Sequence, residues 1–188
     1  MRKLKLQMQT SIDGFVSTGP NDEQQWVTWA LDEIRPQVLD LLDSSDTILI
    51  GKNLAEGYIP YWLDVVTRRD DPMYDIGCRI VDAKKIVFTK TMSKSPWPNT
   101  ALATGPLADE IQELKMKNGK DLIVYGGSSF VASLIKEELI DDYHLFVNPV
   151  ALGQGELIFN KLNNWKKLKL KRCIPYPSGI VMLNYESL

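Results

Sequence analysis

Short apolar segments alternate with longer segments of helical periodicity along this chain. Residues 3–10 place Leu4, Leu6 and Met8 between polar residues, an alternation typical of a half-buried strand. Almost wholly apolar runs, as in strands covered on both faces, occupy residues 47–50, 85–89 and 121–125. A further strand is predicted over 143–150, and an antiparallel hairpin over 166–173 and 180–185.

Helical periodicity fills most of the segments between these strands. The first helix is expected to begin near Asp32 and Glu33, with Pro36 in its first turn, where a missing N–H costs least. Other helices are predicted over about 72–83, 106–117 and 128–137, and Lys52 stands at the start of another. Alternating strands and helices predict an α/β fold with a largely parallel sheet.

Length and composition fit one globular domain over residues 1–188. The hydrophobic fraction is 44%, and 22 basic residues against 24 acidic ones give a net charge of −2. This balance gives no electrostatic reason to expect nucleic acid or an anionic membrane surface as a partner. No apolar run approaches the ~20 residues of a membrane-spanning helix, and the amino terminus lacks the pattern of a secretion signal. We therefore expect a cytoplasmic protein.

Metal and disulfide chemistry are not indicated. The two cysteines, Cys78 and Cys173, lie far apart in the chain, and neither belongs to a C-x-x-C pair. His144 is the only histidine, which excludes most His-based metal sites and catalytic triads. We expect no metal cofactor.

Small, hydroxyl and basic residues follow three of the apolar strands. Gly126 and Gly127 precede a helix start, and such glycines either admit a phosphate close to the backbone or simply turn the strand into a packed helix. The segment 51–53 (GKN) repeats the pattern with a cation, and Thr89 with Lys90 adds another. Ligands of parallel α/β sheets lie beyond the carboxyl ends of the strands, so together these residues favour a nucleotide site.

Five segments of this sequence, in their order, resemble a known family. They are MQTSIDGF (8–15), ILIGK (48–52), IVFTK (86–90), VYGG (124–127) and NPVALGQG (148–155). The series is similar to the dihydrofolate-reductase-like superfamily, in particular the carboxyl-terminal reductase domain of the bifunctional riboflavin-biosynthesis protein. The resemblance implies a mostly parallel central sheet with helices on both faces, an antiparallel C-terminal hairpin and NADPH as cofactor.

The resemblance also implies which residues bind NADPH. Gly126 and Gly127 would approach the pyrophosphate, and Lys52 would face the adenosine phosphates, while Thr89 and Lys90 would hold the adenosine ribose and its 2′-phosphate. Thr10 and Val16 would flank the nicotinamide. The cofactor-binding set is completed by Gly51, Asn53, Gly105, Ser128, Ser129 and Phe130.

Two positions depart from the folate reductases. Leu54 replaces a threonine that contacts phosphate, and Ala83 falls where a basic residue would grip the folate tail. Arg79, about one helical turn earlier, is an alternative for that grip. The simpler inference is that folate is not the substrate.

Substrate and proton-transfer residues are less clearly marked. By resemblance, an acid on the first helix would hold the substrate or help protonate it, and Asp32 and Glu33 are the candidates. Acids at a helix start are also favoured by capping and by the helix dipole. Trp26 and Trp29 are candidates to wall a pocket for a flat heterocycle, or they pack the polar loop 17–25 onto the sheet. Asp13 beside Gly14 fits an Asx-type turn residue better than an acid catalyst.

Three functions are consistent with these residues. The first is an NADPH-dependent reductase of a small heterocyclic (pyrimidine- or pterin-like) or carbonyl compound, related to a pyrimidine reductase of riboflavin biosynthesis. The deaminase signature that accompanies the riboflavin reductase, H-x-E with paired cysteines, does not occur in this sequence. Dihydrofolate reductase and a non-catalytic NADPH- or nucleotide-binding protein are the alternatives. The relatives suggest a homodimer.

Overall fold

The computed structural model, which describes residues 1–20 and 22–188, has strands and helices alternating as the hydrophobic pattern predicts. The strands are β1 (Leu4–Thr10), β2 (Phe15–Ser17), β3 (Ser45–Gly51), β4 (Lys84–Phe88), β5 (Thr100–Ala103), β6 (Asp121–Gly126), β7 (Asp142–Val147), β8 (Glu156–Leu157), β9 (Leu168–Pro175) and β10 (Val181–Ser187). The helices are α1 (Leu31–Asp43), α2 (Lys52–Val65), α3 (Tyr74–Asp82), α4 (Leu107–Met116) and α5 (Ser128–Lys136). The α/β class, the mostly parallel sheet and the C-terminal hairpin are confirmed.

The chain divides into two compact units. The first comprises Met1–Arg2 and Pro36–Gly127, and the second comprises Lys3–Arg35 and Ser128–Leu188. The predicted single domain over residues 1–188 stays a prediction.

Four parallel strands form the sheet of the first unit, in the order β5-β4-β3-β6. The middle residues of β3, β4 and β6 are buried, for example Ile48, Leu49 and Ile50 on β3 and Ile123 on β6. Burial on both faces explains why these strands are continuous apolar runs in the sequence. Because the four strands are parallel, their carboxyl ends lie at one edge of the sheet.

The second unit has mixed strand directions. Strand β1 pairs parallel with β7, and β10 pairs antiparallel with both β7 and β9. A separate pair is formed by β2 and β8, with Phe15 opposite Leu157 and Ser17 opposite Glu156.

Helix α1 begins earlier than predicted. The Ala30 carbonyl already accepts the N–H groups of Glu33 and Ile34, so the helix starts at Leu31. Pro36 therefore lies inside the helix, in its second turn, and the prediction of a first-turn proline is wrong. Since proline has no N–H, one helical hydrogen bond is absent there.

Strand β9 carries most of a basic run, which the near-zero net charge of the whole chain conceals. Residues 166–172 read KKLKLKR, and β9 lies at the edge of the second unit's sheet. Lys169 and Lys171 both pair with Glu186 on β10, at 3.7 and 3.1 Å. Lysines on an edge strand discourage pairing with the strands of other molecules, which is a sufficient reason for this composition.

Candidate functional site

The carboxyl ends of the four parallel strands bring the predicted phosphate-binding residues of the first unit to one edge. Gly51 pairs with Phe88, and Phe88 pairs with Ala103, while Ile50 pairs with Gly126. The residues that follow these ends are therefore neighbours: Lys52 and Asn53, Thr89 and Lys90, Thr104 and Gly105, and Gly127. The sequence indicates this edge because the alternation of strands and helices predicts parallel strands and the ends of the apolar runs give the strand ends.

The start of α2 is open to an anion. Gly51 is the N-cap and has no side chain, so no side-chain hydrogen bond caps the first N–H groups of the helix. Lys52 is half-exposed, and its Nζ lies 3.7 Å from Glu56 Oε1, one turn further on. Asn53 is exposed. These residues offer backbone N–H groups, the positive helix end and an ammonium group together.

Thr89 and Lys90 differ in what they offer. Thr89 is buried, and its Oγ1 accepts hydrogen bonds from the N–H groups of Thr91 (3.1 Å) and Met92 (3.2 Å). This hydroxyl therefore shapes the turn after β4. Lys90 is exposed and forms no ion pair with any described residue. Its charge is free for a ligand.

A carboxylate already occupies the predicted Gly105 contact. The Gly105 N–H donates a 3.0 Å hydrogen bond to Glu110 Oε1, on the first turn of α4. A ligand phosphate would have to displace Glu110 to reach this N–H. The role of Gly105 stays a prediction.

Gly126 lies under Leu54, the residue that departs from the folate-reductase pattern. A methyl group added at Gly126 would lie 2.9 Å from Leu54 Cδ2, and Gly126 has φ +144°, a conformation that other residues rarely adopt. Gly126 is buried and Gly127 is half-buried, and the peptide bond between them is cis. The side of Gly126 toward Leu54 is closed and apolar, whereas a methyl group at the half-buried Gly127 would lie 3.9 Å from Leu54 Cβ, an ordinary contact distance.

Two charged side chains that the sequence analysis missed hold the start of α5. Ser128 Oγ donates a 2.7 Å hydrogen bond to Glu156 Oε2 on β8. Lys161 Nζ donates to the Ser129 carbonyl (2.9 Å) and to Ser129 Oγ (3.0 Å). Phe130 is half-buried on the same turn. These partners lie 28 and 32 residues away in sequence, so no local pattern could reveal them.

Thr10 and Val16 are buried in the second unit. The Thr10 carbonyl, at the end of β1, accepts a 2.7 Å hydrogen bond from the Asn148 N–H. Val16 lies on β2. Both are firmly positioned, and their proposed place beside the nicotinamide stays a prediction.

Asn148, the first residue of the NPVALGQG segment, organises this part of the second unit. It is fully buried, and its Nδ2 donates to Gln9 Oε1 (2.9 Å) and to the Thr10 and Phe146 carbonyls (3.3 and 3.2 Å). Its Oδ1 accepts the Thr28 N–H at 2.9 Å. One amide side chain thus joins the ends of β1 and β7 to the segment that carries the predicted substrate-binding tryptophans.

Those two tryptophans are placed differently. Trp26 is half-buried, and its indole N–H donates a 3.0 Å hydrogen bond to Asp22 Oδ2. Trp29 is 44% exposed and has φ +43°, an uncommon conformation for an aromatic residue. Trp29 therefore presents an open apolar surface, as a stacking residue would.

The two candidate acids on α1 also differ. Glu33 is half-buried, and its Oε2 accepts the Ser178 N–H at 3.0 Å, which ties α1 to the turn between β9 and β10. Asp32 is exposed in the first turn of the helix. Glu33 thus has a structural partner, whereas Asp32 has no ion pair with a described residue.

Asp13 holds two loops of the second unit together. Its carboxylate accepts hydrogen bonds from the Ser11 hydroxyl and from the N–H groups of Leu152 (3.1 Å) and Gly153 (2.7 Å). The Ser11 hydroxyl and the Gly153 amide lower the pKa of Asp13 to about 2. Asp13 is therefore a loop-shaping residue and not a proton donor, with one local partner, Ser11, and two distant ones, Leu152 and Gly153.

Replacing Asp13 by Asn is expected to loosen the 149–155 turn, because an amide accepts weakly where a carboxylate accepts strongly. The Leu152 and Gly153 amides should exchange with solvent roughly tenfold faster, measured by hydrogen exchange. Because the folded-state pKa is lowered, the wild-type protection is present above pH ~4 and is lost as the pH falls toward 2. Asp40→Asn, on the exposed side of α1, is the matched control and should leave both amides protected.

No group of three or more His, Cys, Asp or Glu side chains is arranged to hold a metal within residues 1–20 and 22–188. Over the same residues, no helix has the length and apolarity needed to cross a bilayer.

One family model matches almost the whole chain. The family model for the RibD C-terminal domain matches residues 2–182. The uncharacterized protein YyaP of Bacillus subtilis (strain 168) is 28% identical, with 98% of this chain and 95% of YyaP aligned.

Two solved structures illustrate the likeness of fold. A deaminase/5-amino-6-(5-phosphoribosylamino)uracil reductase of Thermotoga maritima has a TM-score of 0.70 at 16% identity, covering 100% of this chain and 57% of that one. Dihydrofolate reductase of Enterococcus faecalis, solved with NADP(H), has a TM-score of 0.64 at 14% identity, covering 98% and 96%.

Proposed function

Because the chain belongs to the RibD C-terminal domain family, we propose that it is an NADPH-dependent reductase of a small heterocyclic compound, with a pyrimidine related to the riboflavin precursors as the first candidate. The observation that carries this proposal is the edge of the first unit's parallel sheet. There Lys52, Lys90 and the Gly126–Gly127 pair follow neighbouring strand ends. Ligands of parallel α/β sheets bind at such an edge.

The residues of this edge fit the adenosine half of NADPH. The uncapped start of α2 and Lys52 suit a phosphate, and the unpaired ammonium of Lys90 suits a second one. Gly127 is half-buried and has no side chain that would hold a ligand away from the backbone. Leu54 packs against Gly126, and the Glu110 carboxylate accepts the Gly105 N–H, so these two side chains limit the access of a ligand to the backbone at both positions. When bound, reduced nicotinamide supplies the hydride.

The protein's own contribution is binding, orientation and the supply of a proton. Asn148 fixes the segment of the second unit that carries Thr28 and the neighbouring tryptophans, and Asp13 fixes the 149–155 turn. Trp29 offers a flat apolar surface for a heterocycle. We propose Asp32 as the carboxylate that holds or protonates the substrate, since Glu33 is engaged by the Ser178 amide.

Binding and turnover measurements test the proposal. A dinucleotide at about 100 times its dissociation constant adds ~2.7 kcal/mol of stability, so NADPH should raise the melting temperature clearly. NADPH oxidation, followed by absorbance, is then measured with a ribosylaminopyrimidine phosphate and with dihydrofolate. Oxidation with the pyrimidine supports the proposal, and absence of binding by either NADPH or NADH contradicts it.

Two other functions remain as outcomes of this experiment. Dihydrofolate reductase is disfavoured because Arg79, the alternative grip for a folate tail, donates from its Nε to Asp43 at 2.6 Å. A non-catalytic NADPH-binding protein is favoured by the engagement of Glu33. If NADPH binds tightly but is oxidised with neither the ribosylaminopyrimidine phosphate nor dihydrofolate, the result would support a non-catalytic NADPH-binding protein. The homodimer and the cytoplasmic location stay predictions.

Lys90→Ala is expected to reduce the preference for NADPH over NADH by about tenfold, because the exposed ammonium would lose its interaction with the 2′-phosphate. The two dissociation constants are measured by fluorescence titration. Lys94→Ala removes an exposed charge from the same loop and should leave the preference unchanged. An unchanged preference in Lys90→Ala would remove this residue from the 2′-phosphate site.

A further inference from the structure

A carboxylate lies at the start of α5, which directly follows Gly126 and Gly127, the residues that the family resemblance assigns to the diphosphate of the coenzyme. Glu156 Oε2 accepts a 2.7 Å hydrogen bond from Ser128 Oγ, and Ser128 is the first residue of α5. The N–H groups of a helix start attract negative charge from any source, whether a side chain or a phosphate. Glu156 and a bound diphosphate would therefore occupy the same electrostatic position.

The backbone beside Glu156 has little freedom to move away. A methyl group added at Gly155 would lie 2.1 Å from the Ser17 carbonyl oxygen, so β8 packs tightly against β2. Glu156 itself pairs with Ser17 in this two-stranded sheet. Side-chain rotation, of Glu156 or of Ser128, is therefore the expected way for this hydrogen bond to break.

The nearby lysine does not neutralise Glu156. Lys161 Nζ donates to three neutral oxygens of α5, namely the Ser129 carbonyl, Ser129 Oγ and Ser133 Oγ, at 2.9 to 3.0 Å. Within residues 1–20 and 22–188, Glu156 forms no ion pair. Its carboxylate therefore stays negative and unpaired beside Ser128, and it repels an anion that approaches this residue.

We propose that the Glu156 carboxylate competes with the coenzyme diphosphate for Ser128 and thereby sets the affinity for the coenzyme. This inference rests on the proposed function. The competition acts on the diphosphate, which NADPH and NADH share, so Glu156 weakens the binding of both by the same factor. Lys90, in contrast, is expected to act on the 2′-phosphate alone.

Glu156→Gln tests the inference, because the amide keeps the shape and can still accept from Ser128 but carries no charge. NADPH and NADH should each bind about three- to tenfold tighter, with their affinity ratio unchanged. The gain should shrink as salt rises from about 0.05 to 0.5 M, since Glu156 is partly exposed and salt screens its repulsion. Dissociation constants are measured by fluorescence titration at both salt concentrations.

Glu137→Gln is the matched control, since it removes an exposed carboxylate just beyond the opposite end of α5 and should change neither affinity. Glu156→Ala should reproduce the gain if the charge is responsible, and thermal unfolding verifies that each variant is folded. Unchanged or weaker binding by a folded Glu156 variant overturns the inference, with weaker binding identifying Glu156 as a ligand of the coenzyme. If neither wild type nor variant binds either coenzyme, the proposed function fails and the inference fails with it.

Discussion

Gly126→Ala is expected to weaken NADPH binding by about 100-fold and to lower stability by about 1–3 kcal/mol. The stability loss follows from φ +144°, which an alanine adopts only with strain. The binding loss follows because the strained segment would shift the backbone that receives the diphosphate, and a 100-fold weaker affinity corresponds to a loss of only about 2.8 kcal/mol. NADPH titration and thermal unfolding measure the two effects separately, and the melting temperature should fall by roughly 3–10 °C.

Two further variants separate the causes. Gly57→Ala adds a methyl group on the exposed face of α2, where no atom lies within 4 Å. Because alanine favours a helix more than glycine does, the variant should gain about 0.5–1 kcal/mol of stability, and its affinity for NADPH should not change. In Gly126→Ala the new methyl would also lie 2.9 Å from Leu54 Cδ2. Adding Leu54→Ala relieves this contact but leaves the backbone strain, so binding should remain weak. Wild-type affinity in folded Gly126→Ala would contradict a close approach of the coenzyme at the glycine pair.

Acidification is expected to destabilise the protein through His144. Burial, opposed by Asp142 and assisted by Lys5 and Lys3, lowers the pKa of His144 to about 4. His144 pairs with Gln7 on β1 and with Asn184 on β10, and within the described part of the chain its Nδ1 has no hydrogen-bond partner. Protonation would place a positive charge in a largely buried position, at a cost that the nearby Asp142 only partly offsets.

The lowered pKa fixes the direction of the pH effect. Between pH ~6.5 and 4 the unfolded chain binds a proton that the folded chain does not, so stability falls as pH falls through this range. The loss attributable to His144 should be about 3 kcal/mol at most. Urea unfolding of wild type and His144→Gln between pH 7.5 and 4 measures it, because His144 is the only histidine and the variant retains the carboxylates. Parallel pH curves for the two proteins would contradict the prediction.

The elements that the sequence predicted best are those whose burial is uniform along their length. The cores of β3, β4 and β6 stand out because a strand covered on both faces is a continuous apolar run. The extent of α2 was not predicted, because Gly57 and Pro60 lower its helix propensity and its stability comes from the burial of Ile59 and Trp62. Strands β2 and β8 have three and two residues, so they exist only by pairing with each other.

The amino-acid sequence by itself determined the α/β class, the hairpin and the set of small and basic residues at the strand ends, because each depends on local periodicity and on parallel direction. Tertiary structure alone decided which of those residues are free to act. Three hydrogen bonds that form only in the folded chain engage candidate residues: Gly105 donates to Glu110, Ser128 donates to Glu156, and the Ser178 N–H donates to Glu33. Hydrogen bonds select partners by distance in space, and most of these pairs join segments that are far apart along the chain.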